Sequence, residues 1–293
     1  MDVTQALLEA GGIARHSVLV PFIPRHEVRA ALAAGRIVRV GHGCYSLPDA
    51  DEHRAAAARL SGCLALLSAA RYWQWPVKLP PERPQIVVPR GRKVSAARRA
   101  GVDLRWGAVT QQELAAGVTS KVRTVLDCAR LLPFDAALAV VDSALRDGVT
   151  KTELLLACDR LSRKGRARAF RVIEVGDVRA ANPFESVIRA IVIALVGAEF
   201  EPQIWIGSIG RADLVDRRRR VVIEADSFEF HSDAVALAGD IERYNAFLCE
   251  GHVVVRFAWK HAMFEQAYVR ETVRAVIAPS GRSVRWCPSC DAA

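Results

Sequence analysis

The order of helical and strand patterns predicts a multi-domain α/β chain, and three observations carry that prediction. The first fifty residues read as three short helices followed by two short alternating strands. Residues 51–149 mix helices with isolated strands, an α+β arrangement. From Asn182 onward the order becomes helix, three strands, helix, strand. A chain of 293 residues is long enough for two or three domains and a sizeable core.

In the first part, Val3, Ala6, Leu7 and Ala10 share one side of a helix over residues 2–10, closed by Gly11-Gly12. A second helix is predicted over Ala14–Val20 and a third from Arg25 to Ala34, with Pro21 and Pro24 marking the turn between them. RIVRVGHGCYSL then alternates around Gly41-His42-Gly43, which is a hairpin signal. Three helices and a hairpin are the order of a winged helix-turn-helix. In such a domain the third helix enters the major groove, so Arg25, His26 and Arg29 are the candidate base readers. Arg36, Arg39 and His42 would contact phosphates or reach the minor groove. Small winged domains also bind protein alone, and that alternative stays open. Homodimers on paired half-sites are a further expectation for the class.

The middle part is expected to open with one helix over residues 54–75, then a proline-rich stretch, PVKLPPERPQ, and the strand IVVP. The basic run RGRKVSAARRAG leads to a second strand, VDLRWG. Thr119-Ser120 starts a helix carrying Val122, Val125, Leu126 and Ala129, and Phe134–Arg146 forms the next. Asp127 and Asp142 are single helical acids, expected to be solvated or paired. Trp73, Trp75 and Trp106 could stack on bases, but core packing is the simpler expectation. Residues 150–181 are basic and helical, a connector to the last domain at 182–280, with a tail at 281–293.

Over roughly the first 150 residues, the winged opening and the runs TSKVRTVLDCARLL and ALAVVDSALRDG resemble the AbiEi-type antitoxin proteins of bacteria. The resemblance implies a DNA-reading front half of the kind that regulates its own operon, and a possible toxin partner.

In the last part, a helix over Pro183–Val196 buries Val187, Ile188, Ile191, Val192 and Leu195. Strands follow near Gln203–Ile206, Arg211–Val215 and Val221–Ala225, then a helix over Ala234–Glu250 and the buried strand HVVVRFAW. Glu224 and Asp226 are two apart on a strand, so both point to one face. If the neighbouring strand is antiparallel, Asp213 can lie beside them. Carboxylates gathered on one patch repel each other unless a cation sits among them, and hard oxygen ligands suit Mg²⁺ or Mn²⁺. The plainer alternative is a solvated face neutralised by nearby arginines.

This order and these acids resemble the restriction-endonuclease-like superfamily with its PD-(D/E)xK site, and more closely the branch containing the very short patch repair endonuclease. The resemblance implies that Glu185, Asp213, Glu224 and Asp226 surround the metal, with Glu185, Asp213 and Glu224 as ligands. It also brings in His231, as a candidate acceptor of the attacking water's proton, and Asp240 as an outer acid. Arg218, Arg219, Arg220 and Arg243 could bind flanking phosphates. Two departures stand out. Asp226 occupies the place of the superfamily's lysine, and Ser227 stands where the relatives usually have glycine. Glu185 also sits three residues after Asn182 with Pro183 between, a capping-box pattern compatible with metal duty.

Composition sets the frame for these readings. The chain is 51% hydrophobic and 25% charged, which fits a globular fold. The longest apolar run, near Ile188–Val196, is interrupted by Arg189 and is short of the ~20 residues a membrane span requires. The start, MDVTQALLEAGG, does not read as a signal peptide. Seven scattered cysteines argue for a reducing cytoplasm, and Cys287 with Cys290 would need two more ligands to hold zinc. Net charge is +9, with basic clusters at Arg90–Arg105, Arg160–Arg171 and Arg217–Arg220, which favours a polyanionic partner. The function expected is therefore metal-dependent DNA cleavage with an N-terminal DNA-binding domain. The alternatives are a non-catalytic DNA-binding regulator and a toxin-binding interaction protein.

Overall fold

The computed structural model describes residues 2–19, 21–41, 43–226 and 234–278. Among these the chain is mixed α/β, with three small sheets. It divides into two units, one holding residues 1–131 and 149–170, the other 132–148 and 171–293. No helix among the described residues is long and apolar enough to cross a membrane.

The N-terminal unit begins with α1 (Val3–Glu9), where the Asp2 carboxylate accepts the Thr4 N–H. Gly11 and Gly12, both at positive φ, turn the chain out of it. Next come β1 (Ile13–Arg15), α2 (His16–Leu19) and α3 (Arg25–Ala33). The hairpin of β2 (Val38–Gly41) and β3 (Cys44–Ser46) is antiparallel, with a register shift between Arg39 and Gly41. Val3, Leu7, Leu19, Ile23, Val28, Ala31 and Ile37 pack together beneath it.

The helix expected over 14–20 is helical at His16–Leu19, but Ala14 and Arg15 belong to a strand and Val20 lies outside the described residues. Ala14 pairs with Tyr45, making β1 an outer strand beside β3 in a sheet of order β1-β3-β2. A helix this short is marginal by itself, so pairing with a neighbouring strand prevails over local propensity.

The helix expected over 54–75 is also broken, into α4 (Glu52–Leu60), β4 (Cys63–Leu64) and α5 (Leu66–Tyr72). Ser61 takes a left-handed cap at φ 51°. Gly62 then passes so close to β5 (Gln85–Pro89) that a Cβ there would lie 2.6 Å from the Val87 carbonyl oxygen. Only glycine permits that approach, and it lets β4 pair with β5. α6 (Ala96–Arg99), β6 (Asp103–Gly107), α7 (Gln111–Ala116) and α8 (Lys121–Leu131) follow, with β6 parallel to β5.

Asp127 is paired, accepting from Arg123 Nε at 3.1 Å, and Arg123 also binds the buried Glu113. Of the tryptophans, Trp75 is 3% exposed and belongs to the core. Trp106 is 44% exposed, its indole N–H donating to the Arg92 carbonyl, so core packing does not describe it.

α9 (Phe134–Arg146) groups with the C-terminal unit, although a boundary at 149 places it in the middle domain. α10 (Lys151–Asp159) and α11 (Arg163–Glu174) follow, the latter interrupted by Lys164 and Gly165. The remainder comprises α12 (Pro183–Ile193), β7 (Glu201–Ile206), β8 (Gly210–Asp216), β9 (Val221–Asp226), α13 (Ala234–Cys249), β10 (Val253–Ala258), α14 (Trp259–Phe264) and α15 (Gln266–Ile277).

The sheet order is β10-β9-β8-β7, antiparallel except for the parallel β9–β10 pair. Side chains of α12, α14 and α15 form one core with Leu214, Ile223 and Phe257. Tyr244 and Phe247 of α13 form a second with Val215 and Val222. Val222 and Ile223 thus face opposite layers, which turns Glu224 and Asp226 toward α13.

Candidate active site

Glu185, Asp213, Glu224 and Asp226 line one cleft of about 310 Å³ in the C-terminal unit, together with Gln203, Asp240, Arg243 and Tyr244. Five elements deliver the four expected acids and their partners: the start of α12, β7, β8, β9 and α13.

Glu185 caps its helix, as the capping-box pattern predicts. Its N–H donates to Asn182 Oδ1 at 3.0 Å, and its own Oε1 accepts from Asn182 Nδ2 at 2.8 Å. Oε2 accepts from the Ala181 N–H and from Gln203 Nε2, at 2.9 and 2.8 Å. The helix cap therefore also aims a carboxylate into the cleft. The residue is 3% exposed, and burial together with the Asp213 charge pushes its pKa up to about 7.

Asp213 stands where the β8–β9 ladder ends. The last paired residues are Leu214 and Ile223, and one step beyond them Asp213 Oδ2 accepts the Ala225 N–H at 2.8 Å. A side chain takes over the role of a backbone carbonyl there. Oδ1 accepts from Gln203 Nε2 at 3.0 Å. Burial raises the proton affinity of Asp213, opposed by those hydrogen bonds and by Arg243.

Glu224 is 4% exposed and accepts from Arg243 Nη2 at 2.9 Å, the same guanidinium nitrogen donating to the Arg211 carbonyl. Burial and the Asp213 charge push Glu224 up to about 8, more than Arg243 pulls it down. Asp226 is held by the Tyr244 hydroxyl at 3.1 Å and by Arg256 Nε. The Arg256 guanidinium carbon lies 3.8 Å from the centre of the Tyr244 ring, a stacked cation–π contact.

The donor chemistry suits a hard divalent cation: buried carboxylate oxygens from separate elements, each raising its neighbour's proton affinity. As the side chains lie, no three His, Cys, Asp or Glu among the described residues stand close enough to hold a metal ion. The Gln203 amide stands between Glu185 and Asp213, and the Arg243 guanidinium lies on Glu224.

The remaining expected residues scatter. Arg218 is exposed on the β8–β9 turn, whereas Arg219 is paired with the buried Asp216 at 2.8 Å and Arg220 donates to the Glu250 carbonyl. At ~3.3 Å per strand residue, that turn lies roughly 13 Å along β9 from Glu224. Of the four candidate arginines in this unit, Arg243 is the one lining the cleft. In the N-terminal unit, Arg25, His26 and Arg29 are exposed on α3, Arg36 pairs with Asp2, and Arg39 is exposed on β2. His42 and His231 lie outside the described residues, as do Cys287 and Cys290.

Sequence reasoning missed Gln203, Tyr244 and Arg256 as members of this group. Gln203 is uncharged at the start of a predicted strand, and only the register that sets it opposite Asp213 exposes its part. Arg256 could be found only from the parallel pairing that sets it beside Glu224.

A larger cavity of 510 Å³ in the N-terminal unit is lined by Asp51, His53, Arg54 and Ser68. Its His53–Ser68 contact at 2.9 Å is structural, because Ser68 is 2% exposed and its oxygen also accepts the Gln85 N–H.

No family model matches the chain, and no curated protein matches it. Among solved structures, the RV2827C protein from Mycobacterium tuberculosis is similar over 70% of this chain and 87% of that one, at 14% identity and a TM-score of 0.36. A likeness that loose carries no conclusion about family or activity.

Proposed function

We propose that the C-terminal unit hydrolyses phosphodiester bonds of DNA with a divalent metal, Mg²⁺ or Mn²⁺, and that residues 1–50 are a winged helix-turn-helix that holds the DNA. The observation that carries the reading is the convergence of Glu185, Asp213 and Glu224, from a helix and two strands, on one cleft, with Glu185 and Glu224 themselves buried. The β7-β8-β9 meander followed by α13 and a parallel β10 supports the restriction-endonuclease-like assignment. The exposed Arg25, His26 and Arg29 on one short helix support the DNA-binding role of the front.

Glu185, Asp213 and Glu224 would hold the cation. A cation in that position neutralises the phosphate's charge, lowers the pKa of a bound water and stabilises the leaving oxygen. Arg243, displaced from Glu224, would meet a phosphate oxygen, keeping the positive charge inside the cleft. Asp226 keeps Arg256 and Tyr244 in place beside the reacting group. No lysine stands two residues after Glu224, and among the described residues the cations that line the cleft are Arg211 and Arg243.

A second reading is favoured by the same ion pairs. Arg243 on Glu224 and Arg256 on Asp226 neutralise two of the acids internally, as a DNA-binding regulator with a silent nuclease fold would require. One experiment separates them. Supercoiled plasmid is incubated with the wild type and Asp213→Ala in Mg²⁺ and in Mn²⁺, folding being checked by circular dichroism. Nicking lost in the variant supports hydrolysis; equal DNA binding with and without EDTA, and no nicking by the wild type, supports the regulator.

A further inference from the structure

Gln203 carries an unusual backbone for its place. Among the described non-glycine residues at positive φ, it alone lies inside a strand, at φ 57°. The flanking pairs Pro202–Leu214 and Ile204–Ala212 set it directly opposite Asp213. Residues held in so sparsely populated a conformation persist only where their surroundings over-determine them. Here the surroundings are two carboxylates, since one nitrogen, Nε2, donates to Glu185 Oε2 at 2.8 Å and to Asp213 Oδ1 at 3.0 Å.

We propose that Gln203 is a positioning residue of the cleft. Its left-handed backbone aims an uncharged amide between Glu185 and Asp213 and fixes the two carboxylates side by side, so that a divalent cation meets oxygens already aligned. The inference rests on the cation-dependent reading above and adds to it a residue that binds neither DNA nor the reacting atoms.

An uncharged donor is the suitable chemistry for this place. A lysine or arginine would neutralise the acids permanently and compete with the cation, whereas an amide bridges them and leaves their charge. Outer-shell groups that orient ligands typically change metal affinity about ten- to a hundredfold when removed.

Gln203→Leu removes the amide and keeps the strained backbone; Gln203→Gly removes the amide and relieves it. The measurement is Mn²⁺ binding to the full-length protein by calorimetry, with the melting temperature in EDTA recorded for each variant. The expected result is a loss of about tenfold or more in Mn²⁺ affinity in both variants, with Gln203→Gly melting above Gln203→Leu in EDTA. Wild-type affinity in both variants overturns the role of Gln203 and leaves the cation site standing. Affinity restored in Gln203→Gly alone also overturns it, because backbone strain rather than the amide would then be responsible. A wild type that binds no Mn²⁺ removes the cation site and this inference together.

Discussion

Arg189 places Nη2 2.7 Å from both carboxylate oxygens of Asp142, tying α12 to α9 through an ion pair shut off from water. The remaining capacity of Asp142 is filled by the Ser186 hydroxyl at 2.7 Å and the Asp177 N–H at 2.8 Å. Arg189 also donates to the Val175 carbonyl. Removing one partner leaves a buried charge uncompensated, so Asp142→Ala should destabilise the C-terminal unit by about 3–5 kcal/mol. Replacing both with apolar residues of similar volume, Asp142→Leu with Arg189→Met, should cost much less. Urea denaturation of the two variants checks this, and equal losses would count against the pair as the cause.

That pair also shows where a single sequence stops being informative. Asp142 reads from the sequence as a helical acid that is solvated or paired, and it is paired. Its partner lies 47 residues away on a helix whose orientation no local pattern specifies. For the same reason the sequence groups α9 with its neighbours in the chain rather than with α12. The acids of the cleft were more legible, because strand alternation alone sets Glu224 and Asp226 on one face. Gln203 was not, because a positive φ inside a strand breaks the alternation from which such readings are made.

Gly62 offers a direct test of the break between α4 and α5. A Cβ there meets Val87 O at 2.6 Å and Val88 Cγ1 at 2.7 Å, and the Val87 carbonyl cannot move without shifting β5. Gly62→Ala should therefore destabilise the N-terminal unit by about 1–3 kcal/mol, the usual cost of overpacking. Gly35 is at positive φ but has open space around it, so Gly35→Ala reports backbone strain alone and is the control. A smaller loss at position 62 than at 35, in parallel urea titrations, would refute the steric account.

The cleft should make stability depend on pH in an unusual direction. Burial and the Asp213 charge raise Glu224 to about 8 and Glu185 to about 7, from ordinary values of 4.5. Between 4.5 and those values the folded chain holds protons that the unfolded chain has released, so these groups lower stability as pH rises through the window. In EDTA the melting temperature should fall by several degrees between pH 5 and pH 8, and Glu224→Gln should flatten that fall. Excess Mn²⁺ should restore stability most at the alkaline end, where the carboxylates are ionised. Calorimetric scans at the two pH values, with and without the ion, measure both effects. An identical slope in Glu224→Gln would exclude Glu224 as its source.

The front half makes its own prediction, independent of any chemistry in the cleft. If Arg25, His26 and Arg29 on α3 contact DNA, binding should weaken linearly on a log–log plot against salt, with a slope of about −0.9 for each phosphate neutralised. Removing a phosphate contact reduces that slope by about one and weakens all sequences alike, whereas removing a base contact relaxes preference at one position. Arg29 is exposed. Arg36, by contrast, is already engaged with Asp2 at 3.0 Å. Arg29→Ala should accordingly cost more affinity than Arg36→Ala, in EDTA as well as in Mg²⁺. Fluorescence anisotropy over a salt series on one duplex decides this, and affinity in Arg29→Ala equal to the wild type at every salt concentration would remove Arg29 from the interface.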